Sequence, residues 1–167
     1  SVLSAGVLAL GGSDAQKEEW LPKIASGEAI LTPAWLEPKG GYGPGGVRLA
    51  AVADGGSYRL NGTKRHVLFA KAATRVLVLA RTGDGASDVD LFLVDPASPG
   101  VEMTQQLSMA SDTQYTIAFN DVRVPQSVRI GQAKSGWAVW NEVMHDGIIM
   151  LAAQAMGGAE RALEMTV

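Results

Sequence analysis

Cysteine is absent from all 167 residues of the sequence. This absence excludes disulfides, zinc–thiolate sites, iron–sulfur clusters and cysteine nucleophiles together. Charged residues are scarce as well, at 19% of the chain, and they give a formal charge of −3 with no block of lysine or arginine. Since nucleic-acid surfaces carry a basic patch, we expect no nucleic-acid partner.

Long apolar runs are also missing. No stretch approaches the roughly 20 apolar residues that a membrane-spanning helix needs, and the N-terminus lacks the basic region of a signal peptide. With 47% hydrophobic residues the chain is too apolar to be disordered. These features predict a soluble globular protein, which we place in the cytoplasm. Both ends lie in helix-like sequence without caps, so we expect a piece of a longer protein.

Hydrophobic periodicity divides the chain into three predicted parts. Residues 1–28 form the end of a helical domain, residues 29–131 a β-domain, and residues 132–167 the start of a second helical domain. Within the first part, Ser13 and Gln16 have the spacing of a capping box, and Gly27 is a suitable end for the helix. Pro22 is expected to weaken that helix or to end it early.

The middle part alternates short apolar runs with turn residues. Gln114–Asn120 alternates between apolar and polar residues, as a half-buried strand does, whereas Arg75–Ala80 and Asp90–Val94 are continuously apolar and therefore predicted to be covered on both faces. Asp54-Gly55-Gly56 and Asn61-Gly62 predict tight hairpin turns. The predicted fold class is mixed α+β, with an antiparallel β-sandwich or barrel-like middle domain flanked by helices.

The last part is helical and unusually apolar. Trp137 and Trp140 recur at helical spacing within Gly136–Ala155, and Gly157-Gly158 is expected to bend the helix before a second helical stretch. Such a helix requires partners that this chain does not supply. Trp20, like the two tryptophans of this helix, is predicted to be a core residue.

Several candidate motifs carry little chemistry by themselves. Gly41–Gly46 matches the string G-x-G-x-x-G, but a strand-like segment follows it rather than a helix, which favours a flexible glycine loop over a dinucleotide-binding turn. His66 and His145 lack the spacing of metal ligands, and we expect structural roles for both. Asn61-Gly62-Thr63 is read as a turn. Trp35 precedes a loop at a strand end, where ligand contacts concentrate.

Seven segments occur in an order and spacing that resemble the acyl-CoA dehydrogenase family. They are QKEEWLPKIASGE, LEPKGG, YRLNGTKRHV, DLFLVD, PGVEM, IAFNDVRVP and AERALE. No single segment is diagnostic, but the ordered set covers the chain from about Gly11 to the C-terminus. The resemblance places the chain in the middle of such a protein: the end of the N-terminal helical domain, the β-domain and the first helix of the C-terminal bundle.

The resemblance implies a function. Members bind FAD non-covalently and oxidise an acyl-CoA to the trans-2-enoyl-CoA, with a glutamate base removing the α-proton and a hydride passing to flavin N5. They pass electrons to electron-transfer flavoprotein and assemble as homo- or hetero-oligomers. The family's base lies beyond Val167, so no catalytic residue is assigned within this chain.

The resemblance also implies a flavin-binding wall built from two stretches. One usually reads Thr-Glu-Pro-x-x-Gly-Ser-Asp and falls on residues 36–43, and the other usually reads Trp-Ile-Thr and falls on residues 66–68. The predicted cofactor-binding residues are Trp35, Leu36, Gly41, Tyr42, His66, Val67 and Leu68.

Several of these positions depart from the family pattern. Leucine replaces both threonines, at Leu36 and Leu68, and His66 replaces the tryptophan. Tyr42 and Gly43 stand where serine and aspartate are usual, and Ile148 stands where an arginine is common. The side chain of leucine has no hydrogen-bond donor or acceptor. A buried polar group of the flavin that loses its partner in this way costs about 1–3 kcal/mol of binding free energy. FAD binding is therefore expected to be weakened or absent, although backbone amides of the same strand could still bind it.

Two functional hypotheses follow, and the sequence disfavours a third. The chain belongs either to a working FAD-dependent dehydrogenase with a variant pocket, or to a non-catalytic, flavin-poor subunit that scaffolds an active homologue. In the second case Trp35 and Tyr42 would fill the space of the flavin. The third hypothesis, a plain β-sandwich binding module, is disfavoured by the flanking helices and the ordered segments.

Overall fold

The computed structural model describes residues 2–109 and 112–166, which form three helices and eight strands. The helices are α1 (Val2–Gly11), α2 (Asp14–Ser26) and α3 (Gly136–Thr166). The strands are β1 (Leu31–Ala34), β2 (Ala50–Asp54), β3 (Ser57–Leu68), β4 (Arg75–Arg81), β5 (Val89–Val94), β6 (Val101–Gln106), β7 (Gln114–Pro125) and β8 (Arg129–Ile130). The predicted mixed α+β fold, with strands between flanking helices, is confirmed.

The strands form one sheet in the order β6-β7-β3-β2-β4-β5-β8, with β1 paired to β4. Most neighbours are antiparallel, but β1 and β2 both run parallel to β4. The continuously apolar strands β4 and β5 are buried on both faces, as predicted, because one face packs under β3 and β7 and the other under the helices. Strand β7 shows the expected alternation, with Tyr115, Ile117 and Phe119 buried.

Helix α2 begins at the predicted capping box. The backbone N–H of Gln16 donates to Ser13 Oγ at 3.3 Å, and the backbone N–H of Ser13 donates to Gln16 Oε1 at 3.0 Å. Gly27 ends the helix with φ +80°, a left-handed conformation that glycine adopts without strain. The expectation that Pro22 ends the helix early was wrong, since α2 runs through it to Ser26; that Pro22 weakens the helix stays a prediction.

The two predicted glycine hairpins differ in outcome. Asp54 pairs with Ser57 across a tight turn in which Gly55 and Gly56 have φ +53° and +81°, so this hairpin is confirmed. Asn61 and Gly62 instead lie inside β3, where the register to β7 shifts, and the predicted turn there is wrong. The physical reason is close packing: a Cβ on Gly62 would lie 2.9 Å from Leu49 Cα.

Helix α3 is continuous through Gly157-Gly158, so the prediction of a second, separate helical stretch is wrong, while a bend at the glycines stays a prediction. Glycine costs only about 1 kcal/mol relative to alanine in a helix, and the surrounding Ala, Met, Glu and Arg are good helix formers. Trp140 is 1% exposed, and Trp20 is also buried, which confirms both as core residues. Trp137 is partly buried beside the same cluster.

From Ile148 onwards, α3 presents large apolar side chains on the surface of this chain. The exposed residues are Ile148, Ile149, Met150, Leu151, Met156, Leu163 and Met165. That elements outside the chain cover this helix stays a prediction, as do the boundaries of the three parts. Within residues 2–109 and 112–166, no helix has both the length and the apolar character needed to cross a membrane.

Candidate functional site

The glycine loop between β1 and β2 is anchored by a buried ion pair. Lys64 Nζ lies 2.7 Å from Glu37 Oε1, and their side chains are 0% and 7% exposed. The same carboxylate accepts hydrogen bonds from the backbone N–H groups of Arg48 and Leu49, with Oε1 and Oε2 both 3.0 Å from the nitrogen of Arg48. Glu37 therefore joins the start of the loop, its end and strand β3.

Burial dominates the electrostatics of this pair. Desolvation lowers the pKa of Lys64 to about 8, and the charge of Glu37 and its hydrogen bond only partly oppose that shift. Lys64 Nζ also donates to the backbone oxygen of Trp35 at 3.4 Å. Both members of the pair belong to segments that carry the family resemblance, but only the folded chain brings them together.

A second anchor is Arg81 at the end of β4. Its guanidinium donates to the backbone oxygens of Val47 at 2.7 Å and Pro44 at 2.6 Å, and also to Gly85 in the next loop at 2.6 Å. Within the loop, a Cβ on Gly46 would lie 2.1 Å from the backbone oxygen of Gly41. The glycines thus permit a close chain crossing, and the loop is anchored rather than merely flexible. A 3₁₀ turn and then β2 follow it, not the helix of a dinucleotide turn.

An aromatic row crosses from the loop to helix α3. The Tyr42 and Trp35 rings lie 5.9 Å apart between centroids, and the Trp35 and Trp140 rings lie 5.6 Å apart. Trp140 is buried, Trp35 is half-buried and Tyr42 is 80% exposed. The row therefore fixes Trp35 against the helix and presents Tyr42 to the outside.

The second predicted stretch lies at an irregular end of β3. The register between β3 and β7 shifts between Lys64 and Val67, and His66 in that gap has φ +54°. The backbone N–H of Arg65 donates to the Leu36 oxygen at 2.8 Å, so the two stretches lie side by side. Thr32 Oγ1 donates to the Leu68 oxygen at 2.6 Å and connects β1 to the same strand end.

The predicted cofactor residues are not equivalent in the folded chain. Leu68 is 42% exposed, and His66 and Tyr42 are also exposed, whereas the Val67 side chain is fully buried in the core and unavailable to a ligand. Gly41 contributes backbone only. The role of these residues in cofactor binding stays a prediction.

Leu68 also lines an apolar cavity of about 440 Å³ that sequence reasoning missed. The cavity lies between the start of α1, the end of β3 and the middle of α3. Its lining residues are Val2, Leu3, Leu68, Met144, Gly147, Ile148, Met150, Leu151 and Gln154. Leu68 and Ile148, which both depart from the family pattern, thus line the same cavity. The sequence does not reveal this proximity, because the two residues lie 80 positions apart.

The chemistry of these side chains fits part of a flavin. The apolar surfaces of Leu36, Leu68 and Trp35 suit the faces of a planar ring, whereas hydrogen bonds to its polar edge are left to His66, Tyr42 and backbone groups. Among the described residues, no three His, Asp or Glu side chains are grouped so that they could hold a metal ion. His145 lies exposed on α3.

Known proteins match the chain along most of its length. It is 30% identical over 170 residues to the caffeyl-CoA reductase–Etf complex subunit CarC of Acetobacterium woodii. The matched region covers 99% of this chain and 45% of CarC. The chain thus spans less than half the length of this relative.

Solved structures share the fold. A putative acyl-CoA dehydrogenase from Mycobacterium smegmatis matches with a TM-score of 0.90 and 31% identity, over 96% of this chain and 44% of that one. The ChsE4–ChsE5 complex from Mycobacterium tuberculosis matches with a TM-score of 0.79 and 28% identity, over 85% of this chain and 38% of that one. The family model for the acyl-CoA dehydrogenase middle domain matches residues 33–122. With its sequence segments, sheet and helices all in agreement, the chain belongs to the acyl-CoA dehydrogenase family.

Proposed function

We propose that the whole protein is an FAD-dependent acyl-CoA dehydrogenase that converts an acyl-CoA to its 2-enoyl-CoA. In this proposal the present chain supplies one wall of the flavin site and part of the acyl pocket. FAD, when bound, supplies the hydride acceptor, and the proton-abstracting base comes from sequence beyond this chain. Electron-transfer flavoprotein is the proposed acceptor; the relative CarC is itself named as a subunit of a complex with Etf.

The apolar cavity beside Leu68 is the observation that carries this proposal. Its volume of about 440 Å³ lies within the range of about 300–1,000 Å³ that is typical of small-molecule sites. Its lining is almost entirely hydrocarbon, and burying a methylene group contributes about 0.8 kcal/mol. The cavity therefore suits the alkyl part of an acyl thioester, placed next to the stretch that the family resemblance assigns to the flavin.

The same surface has a place for the flavin ring. Leu36 and Leu68 would contact its face, because their two segments lie side by side: Arg65 N–H donates to the Leu36 oxygen, and Thr32 Oγ1 donates to the Leu68 oxygen. The anchored loop that carries Tyr42 would lie at one end of the cofactor. Hydrogen bonds that the family's threonines usually make are missing, so we expect weaker binding than in relatives that retain them.

The test uses the purified full-length protein. Bound flavin is measured by absorbance near 450 nm, and acyl-CoAs of increasing chain length are tested for bleaching of that absorbance. We expect a yellow protein that is reduced by a subset of the series. Leu151→Phe, which reduces the cavity, is expected to shift the preference towards shorter chains, while Val52→Phe on exposed β2 leaves it unchanged. A flavin-containing protein that no acyl-CoA reduces would contradict the proposal.

A second candidate function is a non-catalytic subunit that scaffolds an active homologue. The loss of hydrogen-bonding side chains at both Leu36 and Leu68 favours it, as does the stacking of Tyr42 on Trp35 beside that surface. One of the matched structures is the ChsE4–ChsE5 complex. A colourless purified protein that co-purifies with a yellow homologue, and that adds no activity beyond the homologue's own flavin, would support this alternative.

A further inference from the structure

His66 is held in an unusual conformation by the β6–β7 hairpin. Its φ of +54° lies in the left-handed region, which residues other than glycine rarely adopt. The backbone N–H of His66 donates to Gln106 Oε1 at 3.2 Å, and its ring Nδ1 lies 2.8 Å from Gln114 Oε1. Strained residues persist where their surroundings determine them, and they cluster at functional sites.

The hydrogen bonds continue beyond Gln114 to a carboxylate. Gln114 Nε2 donates to Asp112 Oδ2 at 2.8 Å, and Ser108 Oγ donates to Asp112 Oδ1 at 3.0 Å. The hydrogen bond from Gln114, and to a smaller extent that from Ser108, holds the pKa of Asp112 below its ordinary value. An ionised carboxylate only accepts hydrogen bonds, so the amide nitrogen of Gln114 must face Asp112 and its oxygen must face His66.

This order of donors determines the tautomer of the histidine. Because Gln114 Oε1 is an acceptor, Nδ1 of His66 must carry the hydrogen, and in the neutral ring Nε2 then keeps its lone pair. None of residues 2–109 and 112–166 makes a hydrogen bond to Nε2, and the His66 side chain is exposed. In the neutral ring Nε2 is therefore a hydrogen-bond acceptor without a partner among the described residues.

The backbone oxygens of the two leucines in this part of the site each accept one hydrogen bond within the chain. The backbone oxygen of Leu36 accepts from Arg65, and that of Leu68 accepts from Thr32. The side chains of both leucines have no polar atom. His66 follows Arg65, whose backbone N–H contacts Leu36, and lies two residues before Leu68. Its ring offers a side-chain acceptor that the leucines lack.

We propose that His66 Nε2 accepts a hydrogen bond from an N–H or O–H donor of the bound flavin, and that Gln114 and Asp112 are positioning residues that fix the hydrogen of the neutral ring on Nδ1. The proposal rests on flavin binding as set out above. The donors that a flavin offers to such an acceptor are the ring N3–H and the ribityl hydroxyls. No bond is formed or broken, so His66 acts in binding and orientation.

The tautomer is tested first, because it requires no flavin. In ¹⁵N–¹H NMR spectra of the full-length apoprotein, the His66 signals are identified by their loss in His66→Asn. We expect the Nδ1–H form, whereas free histidine in water favours Nε2–H. Gln114→Leu removes the acceptor and is expected to return His66 to the Nε2–H form, while Gln105→Leu on neighbouring β6 changes nothing. Finding wild-type His66 as Nε2–H would overturn the proposal.

The second measurement is FAD affinity of the apoprotein by fluorescence titration. Gln114→Leu is expected to weaken binding about 3- to 10-fold, the usual contribution of one neutral hydrogen bond, with Gln105→Leu unaffected. N3-methyl-FAD separates the donors: loss of the Gln114→Leu effect with this analogue assigns N3–H, and its retention assigns a ribityl hydroxyl.

The failures of the two proposals are distinguishable. Unchanged FAD affinity in Gln114→Leu, with the tautomer altered, would overturn the His66 contact and leave flavin binding intact. A protein that binds no FAD while His66 retains its Nδ1–H form would overturn the proposed function and the contact together.

Discussion

Substitution of Glu37 by glutamine is expected to destabilise the protein strongly, because it leaves Lys64 buried without its counter-charge. Both side chains are almost completely excluded from solvent. Breaking a buried ion pair on one side typically costs about 3–5 kcal/mol. Replacing both partners is much less costly, so Glu37→Gln combined with Lys64→Met should be within about 1 kcal/mol of the native protein or more stable than it.

The pH dependence of folding stability tests the burial of Lys64 independently. The pKa of Lys64 is about 8 in the folded chain and 10.5 when unperturbed, so the unfolded state binds more protons between those values. Stability should therefore rise with pH in this window, by at most about 3 kcal/mol from a shift of this size. Glu37→Gln combined with Lys64→Met removes this contribution without leaving a buried carboxylate unpaired, and the difference between this double variant and the native protein isolates the contribution of the pair.

The assay is urea unfolding of the full-length protein, followed by tryptophan fluorescence at pH 7, 8, 9 and 10. Val52→Thr on exposed β2 serves as a control for unspecific effects of substitution. The reasoning fails if Glu37→Gln costs less than about 1 kcal/mol, or if the double variant is as unstable as the single one. It also fails if the native protein and the double variant show the same pH dependence of unfolding free energy.

Three further substitutions test separate features. Leu68→Thr restores a hydroxyl beside the predicted flavin ring and should tighten FAD binding several-fold in a fluorescence titration; unchanged or weaker binding would argue against a flavin at this position. Gly46→Ala places a Cβ 2.1 Å from the Gly41 oxygen, so it should lower the thermal midpoint and weaken FAD binding together. Ser13→Ala removes the capping oxygen of α2 and should cost about 1 kcal/mol in urea unfolding, with no effect on FAD affinity.

The site was only partly predictable from sequence. The family resemblance identified both stretches of the predicted flavin wall, and the hydrogen bond from Arg65 to Leu36 places them side by side. The resemblance did not reveal that the Val67 side chain is buried in the core or that Glu37 and Lys64 form a buried ion pair. These features depend on a β-bulge and a chain crossing, for which periodicity carries no signal.

Local chemistry and sequence order by themselves determined the family, the capped start of α2 and the buried strands β4 and β5. Each of these follows from neighbours within a few residues, or from a pattern repeated along the chain. Only the tertiary structure decided that Asn61-Gly62 is not a turn, that α3 is continuous, and that Leu68 meets Ile148 in one cavity. Long-range packing decides such features, because it can override local propensity and because it alone sets which distant side chains share a space.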